Sequence, residues 1–277
     1  MSLLTLNCCS KKLIGITHLN KIKPANYSIK EYKLCTRAFA KQQKSVKKLQ
    51  NHGISLKKSG GDESSRNEED RISEKSVIIA SRNAVLQACT VTSGLLAALG
   101  FLIRQVSHVA SVEGLPILDC SAEISFGLEN WHLELIIGLV ILISSSRYLL
   151  LKTWPDFAES SEAANQQVLT SLEPLDYAVV SFLPGISEEL LFRGALLPLF
   201  GMDWKSALAV AAVFGILHLG NGRNYSFAIW ATFVGLAYGY AAIASSSITV
   251  PMASHALNNL VGGILWRSTS KSSKSLE

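Results

Sequence analysis

The run Ser187-Glu188-Glu189-Leu190-Leu191-Phe192-Arg193-Gly194 sets two carboxylates and a guanidinium among apolar neighbours. Glu189 and Arg193 are i,i+4 with the acid N-terminal, the favourable order for a helical ion pair, so each can neutralise the other. Glu188 is rotated about 100° from Glu189 around the same helix and faces elsewhere. One acid is paired and one is left over. Farther along, Phe214 and His218 stand one turn apart, as do His255 and Asn259. A carboxylate, two imidazoles and an amide can hydrolyse an amide bond without a covalent intermediate. Glu188, desolvated beside an imidazole, could take a proton from water as general base, and His218 could hold that water and pass the proton to the leaving amine. His255 and Asn259 could both donate to the oxyanion as the carbonyl becomes tetrahedral. Glu188, His218 and His255 also make the ligand count of a catalytic zinc site with an open fourth position. No HExxH motif accompanies them. Residue types and spacing leave both chemistries open. Ser254 adjoins His255 but points to another helix face, so a Ser/His/Asp triad is not indicated.

These residues sit in segments that resemble membrane spans. Six apolar stretches recur at 84–103, 135–151, 175–200, 204–219, 226–244 and 248–266, several near the 20 residues that cross a ~30 Å hydrocarbon core. The first and the last two carry no charge; Arg147 interrupts the second near its end, and Lys205 edges the fourth. The third contains Asp176, Glu188, Glu189 and Arg193. A charge at membrane depth costs at least ~2.5–3.5 kcal/mol on insertion scales, which makes these residues functional candidates. Pro184-Gly185, just before the acidic pair, can loosen or kink the helix, and Pro251 falls in the first turn of the last one. Lys75 and Arg82 before the first span, and Arg267, Lys271 and Lys274 after the last, put both ends on one side, so the number of spans is even. Lys152 and Arg223 fit loops on that side. The acidic loop 104–132 fits the other, although Arg104 does not. The expected fold is an all-α integral-membrane bundle of about six helices.

Composition agrees. Of 277 residues, 48% are hydrophobic and 17% charged, against roughly 25% charged in soluble domains. Residues 1–60 hold 13 Lys+Arg and one acid, a balance of +12, whereas residues 61–277 balance at −7. The net +5 therefore belongs to the leader, and a nucleic-acid partner is not expected. The five cysteines, Cys8, Cys9, Cys35, Cys89 and Cys120, form no CxxC pair, which excludes a disulfide framework or a thiolate zinc site as the main theme. Basic, hydroxyl-rich and with Arg37 as its one arginine, 1–60 reads as a transit peptide of plastid rather than mitochondrial type. A polar linker follows at 61–75, a membrane bundle at 76–267 and a disordered tail at 268–277.

The three segments EExxxR (Glu188 to Arg193), FxxxH (Phe214 to His218) and HxxxN (His255 to Asn259) resemble the CPBP, or Abi, family of CAAX prenyl endopeptidases and bacteriocin-processing proteins. The resemblance covers about residues 170–267. It implies an integral-membrane glutamate endopeptidase, with Glu188 and His218 activating water, His255 and Asn259 at the oxyanion, and Glu189, Arg193 and Phe214 in support. No metal is implied, zinc being the alternative cofactor. Eukaryotic relatives have about eight spans, so the expected range is six to eight. Prenylated substrates meet such enzymes at the endoplasmic reticulum, whereas the leader points to a chloroplast membrane, thylakoid or envelope. The expected partners are thus the lipid bilayer and a membrane-associated polypeptide of another kind. The alternative function is a non-proteolytic membrane scaffold of the same fold.

Overall fold

A computed structural model describes residues 79–220 and 222–274, with side chains through 270. The leader and linker expected at 1–60 and 61–75 lie outside the described residues. Among these, structure is helical, with only two isolated β-bridges, Ser125 to Ser247 and Gly220 to Arg223. The elements are α1 (Arg82–Val112), α2 (Cys120–Glu123), α3 (Asn130–Thr153), α4 (Pro155–Leu169), α5 (Asp176–Leu191), a π-helical turn (Phe192–Leu196), α6 (Leu197–Phe200), α7 (Trp204–Ile216), α8 (Tyr225–Ser245) and α9 (Thr249–Lys274).

Each of the six apolar stretches lies on a helix. Three helices, α1, α3 and α8, are long and apolar enough to cross a membrane. They occupy different positions. Along α1 and α3 only 17% of the apolar window is buried, against 50% for α8. Leu95, Leu102 and Val106 of α1 and Ile137 and Ile141 of α3 point outward, which in a bilayer is contact with lipid. The all-α membrane bundle is therefore the observed fold class, while the expected count of six rests on helices that differ in span. At 1.5 Å per residue, α7 rises about 20 Å, short of the ~30 Å core.

Local chemistry sets the helix ends. Ser81 caps α1 by accepting from Ala84 N, Asp203 caps α7 through Ser206 N, and Asn224 caps α8 through Ser226 N. Pro155 opens α4, where its missing N–H costs nothing. Ser246, at φ 48°, closes α8.

The structure departs from the sequence reading at four places. The stretch 152–175, read as a loop, contains α4, whose Phe157 is buried against Phe227 and Trp230. Hydropathy missed it because half of its surface is polar. Arg104 is no loop residue: α1 continues to Val112 and buries it. Arg223 lies in a loop as expected, but it is buried over the Phe227 ring and not exposed as a free cation. Finally, α9 runs to Lys274, through much of the stretch 268–277 expected to be a disordered tail. No Pro or Gly follows Gly263 to stop it.

Candidate active site

The acidic run and the His255 helix meet because two backbones touch. At Gly185 a Cβ would sit 2.7 Å from Ala256 N and 2.8 Å from its Cα. Only a glycine allows that approach, one residue from His255 and three from Glu188. The helix itself runs unbroken through Pro184, so the Pro-Gly pair brings helices together here and does not break one. Pro184 leaves Val180 O without its helical donor, and one residue along Asn259 Nδ2 donates to Ser181 O at 3.5 Å.

At the contact, Glu189 Oε1 accepts from Arg193 Nη1 at 2.8 Å and lies 2.7 Å from His255 Nδ1. An ionised carboxylate only accepts, so Nδ1 directs a proton to it. The other nitrogen of the ring, Nε2, lies 3.9 Å from Glu188 Oε2. His255 thus stands between the two carboxylates, one at each nitrogen. The expected division holds: Glu189 pairs with Arg193, and Glu188 faces another way. Spacing did not reveal that Glu189 also binds His255, because the two are 66 residues apart.

Arg193 is fully enclosed. Its Nη2 donates to Gly235 O at 2.8 Å, and its guanidinium carbon lies 4.6 Å from the Phe214 ring centroid. A Cβ at Gly235 would come within 2.9 Å of that same Nη2. The π-helical turn around Arg193 is of the kind often found at functional positions. Phe214 links the remaining parts, with its ring 4.5 Å from His218 and 6.2 Å from His255. His218 lies just past the end of α7, its Nδ1 2.6 Å from Phe214 O. That carbonyl fixes the proton on Nδ1 and makes Nε2 the acceptor in the neutral ring.

All seven candidates, Glu188, Glu189, Arg193, Phe214, His218, His255 and Asn259, are buried. Phe214, His218, His255 and Asn259 line a cavity of about 390 Å³ bounded by α3, α4, α7, α8 and α9. Glu188 is not among the lining residues and reaches the site through His255, its Oε2 3.9 Å from Nε2. Three further residues shape the site without having been singled out. Tyr238 stacks on His255 at 5.2 Å and accepts from Asn258 Nδ2 at 3.0 Å. Burial pushes the Arg223 guanidinium down to about 10, opposed by the charge of Glu188. Gly235 receives Arg193. No spacing rule ties any of them to the motifs. Among the described residues, no three His, Cys, Asp or Glu side chains converge as metal ligands.

No solved structure matches the chain. The uncharacterized protein YyaK of Bacillus subtilis (strain 168) is 38% identical over 82 residues, which span 27% of this chain and 27% of that protein. Residues 170–261, the stretch holding all seven candidates, match the sequence model of the family Type II CAAX prenyl endopeptidase Rce1-like.

Proposed function

We propose that this chain is an intramembrane endopeptidase that cleaves a membrane-associated polypeptide with water activated by Glu188 and His218. The observation that supports this most is His255 held between two buried carboxylates, one of them neutralised by Arg193. A purely structural cluster would need Glu189 and Arg193 but no second acid across the imidazole. Glu188 takes the proton of the attacking water. His218, with its proton on Nδ1, offers Nε2 to receive that proton and deliver it to the leaving amine. His255 and Asn259 stabilise the oxyanion; His255 does so from Nε2, which requires protons on both ring nitrogens. Asn259 must release Ser181 O, a bond already long at 3.5 Å. The likeness of residues 170–261 to type II CAAX prenyl endopeptidases supports peptide-bond hydrolysis. The basic leader supports a chloroplast membrane and therefore substrates other than prenylated proteins.

Purified protein in detergent should cleave a membrane polypeptide and keep that activity after chelation, whereas Glu188→Gln should be inert. Zinc in stoichiometric amount, with activity lost on stripping and restored by zinc, would recast Glu188, His218 and His255 as ligands. The depth of the site favours a second reading, a scaffold that recruits partners without cleavage. Full rescue of a null phenotype by Glu188→Gln would establish that scaffold instead.

A further inference from the structure

The cavity that reaches His218 and His255 contains a guanidinium the proposed chemistry does not use. Arg147 lies in α3, inside a span, and lines the cavity with Ser144, Lys152 and Ser161. Its Nη1 occupies the space that a side chain at position 262 would fill, so Gly262 of α9 forms its seat. Among the described residues, no hydrogen bond or ion pair engages Arg147. Glu162 of α4 lines the same cavity and acts on Arg147 through its charge without forming an ion pair with it. Its Oε1 accepts from Gln166 Nε2 at 3.0 Å and its Oε2 from Trp266 Nε1 at 2.9 Å. Ser161 Oγ, also in the cavity wall, is buried and has no hydrogen-bond partner among the described residues. The rest of the wall is mixed: Ile143, Leu151, Trp230, Val234 and Leu265 are apolar, while Glu162, Asn165 and Asn258 add polar groups. The Arg147 guanidinium and the Ser161 hydroxyl, both without a hydrogen-bond partner among the described residues and set beside the apolar part of the wall, suit a ligand that brings an anion on an apolar body.

We infer that Arg147 anchors a carboxylate of the polypeptide substrate, an acidic side chain or the chain terminus, while the scissile bond lies at His218 and His255. This rests on the endopeptidase reading. Guanidinium and carboxylate match in a planar, two-point hydrogen bond that a lysine cannot reproduce. Ser161 is placed to add a hydroxyl donor from α4. The apolar part of the wall takes the residues between the anchor and the reacting carbonyl.

The probe is an N-dodecanoyl tetrapeptide in four versions, with Asp or Asn inside and a free acid or an amide at its end. Its binding is measured on the full chain carrying Glu188→Gln in nanodiscs of neutral lipid. One acid-bearing version should bind about tenfold or more tighter than its amide counterpart, as a charge-assisted hydrogen bond allows. Which version does so distinguishes a side chain from a terminus. Arg147→Gln should abolish the preference, and Arg147→Lys should restore it only in part. Gly262→Ala, which keeps the charge but displaces it, should weaken the acid probe and covers the case in which Arg147→Gln does not fold. Equal affinity for acid and amide, or a preference that survives Arg147→Gln, would overturn the assignment. So would competition by phosphatidylglycerol that disappears in Arg147→Gln without any acid preference, which would make this a lipid headgroup site. A chain that binds the acid probe through Arg147 but, with Glu188 intact, cleaves none of the peptides keeps the anchor and refutes the endopeptidase. Cleavage of all four at one rate does the reverse.

Discussion

Two buried guanidiniums meet at the same π-helical turn and are treated in opposite ways. Arg104 faces neutral oxygens alone. Its Nη1 donates to Gly194 O at 2.6 Å and Cys120 O at 3.0 Å, and its Nη2 donates to Ile124 O at 2.9 Å. Arg193, one residue from Gly194, faces a carboxylate that in turn holds His255. The first arrangement ties three backbone segments together and leaves its charge to be solvated by carbonyl dipoles. The second cancels charge and passes orientation on to an imidazole. A π turn changes the pattern of backbone bonding and offers a carbonyl to an outside donor, and Arg104 takes it. The comparison separates frame from site: Arg104 sets where the turn lies, and Arg193 sets what the turn does.

Breaking the site half should have the largest effect. Arg193→Ala leaves Glu189 as a buried carboxylate without its cation, a loss of about 3–5 kcal/mol in soluble cores. Accumulation in membranes should fall sharply, as read by immunoblot. Adding Glu189→Ala should restore part of the accumulation but none of the activity, since His255 then loses its Nδ1 partner. Normal accumulation of Arg193→Ala without activity would place Arg193 in the chemistry itself.

Gly185→Ala tests whether backbone contact sets the geometry. The new methyl meets Ala256 N and Cα, atoms that cannot rotate away. Overpacking of this kind costs about 1–3 kcal/mol, and a shift of roughly 1 Å at a reacting group can cost about 10²-fold in rate. Activity should therefore drop further than the melting temperature suggests. At Gly194 the added methyl meets the tip of the Ile248 side chain, so Gly194→Ala combined with Ile248→Val should recover most of any loss. Equal, unrecoverable damage at both positions would contradict this.

Asn259→Ala sharpens the site half. As an oxyanion donor it should cost about 10²–10³ in kcat and leave measurable activity. If its amide serves only Ser181 O, stability falls instead and kcat is retained by the surviving protein.

On the frame side the effects should be smaller and fall on stability. Arg104→Lys has one ammonium for three carbonyls, and each group left short costs about 1–3 kcal/mol. Unfolding in detergent should come earlier while kcat of the folded protein is unchanged. The smallest effect is expected beside it, at the loop that Arg104 holds. The hydrogen bond from His108 keeps the Asp119 carboxyl below the usual carboxylate range, against the cost of burial. A carboxyl that is more acidic when folded stabilises fully above that range, and the contribution is lost as pH falls through the lowered value. Asp119→Asn should differ slightly in melting temperature at neutral pH and converge with the parent at acid pH. A difference that grows on acidification would refute this sign.

Much of this was legible in the chain. Long apolar runs have few stable alternatives to a helix, because lipid satisfies no backbone group, and all six runs, the three free of charge and the three that carry some, lie on helices. The i,i+4 pairing of Glu189 with Arg193 follows from helix geometry, and the same geometry separates Glu188 from them. What sequence could not supply has one physical cause. Contacts between distant segments depend on how closely two backbones approach, and that approach is decided by single glycines whose partners lie far along the chain. Gly185 brings His255 to Glu189, Gly235 admits Arg193, and Gly262 seats Arg147. Hydropathy also hid α4, whose polar face lowers its average while its apolar face packs on α8. Sequence determined which residues could act and on which helices they lie. Tertiary structure decided that His255 stands between the two acids, because only packed helices can hold an imidazole within hydrogen-bond reach of a carboxylate 66 residues away.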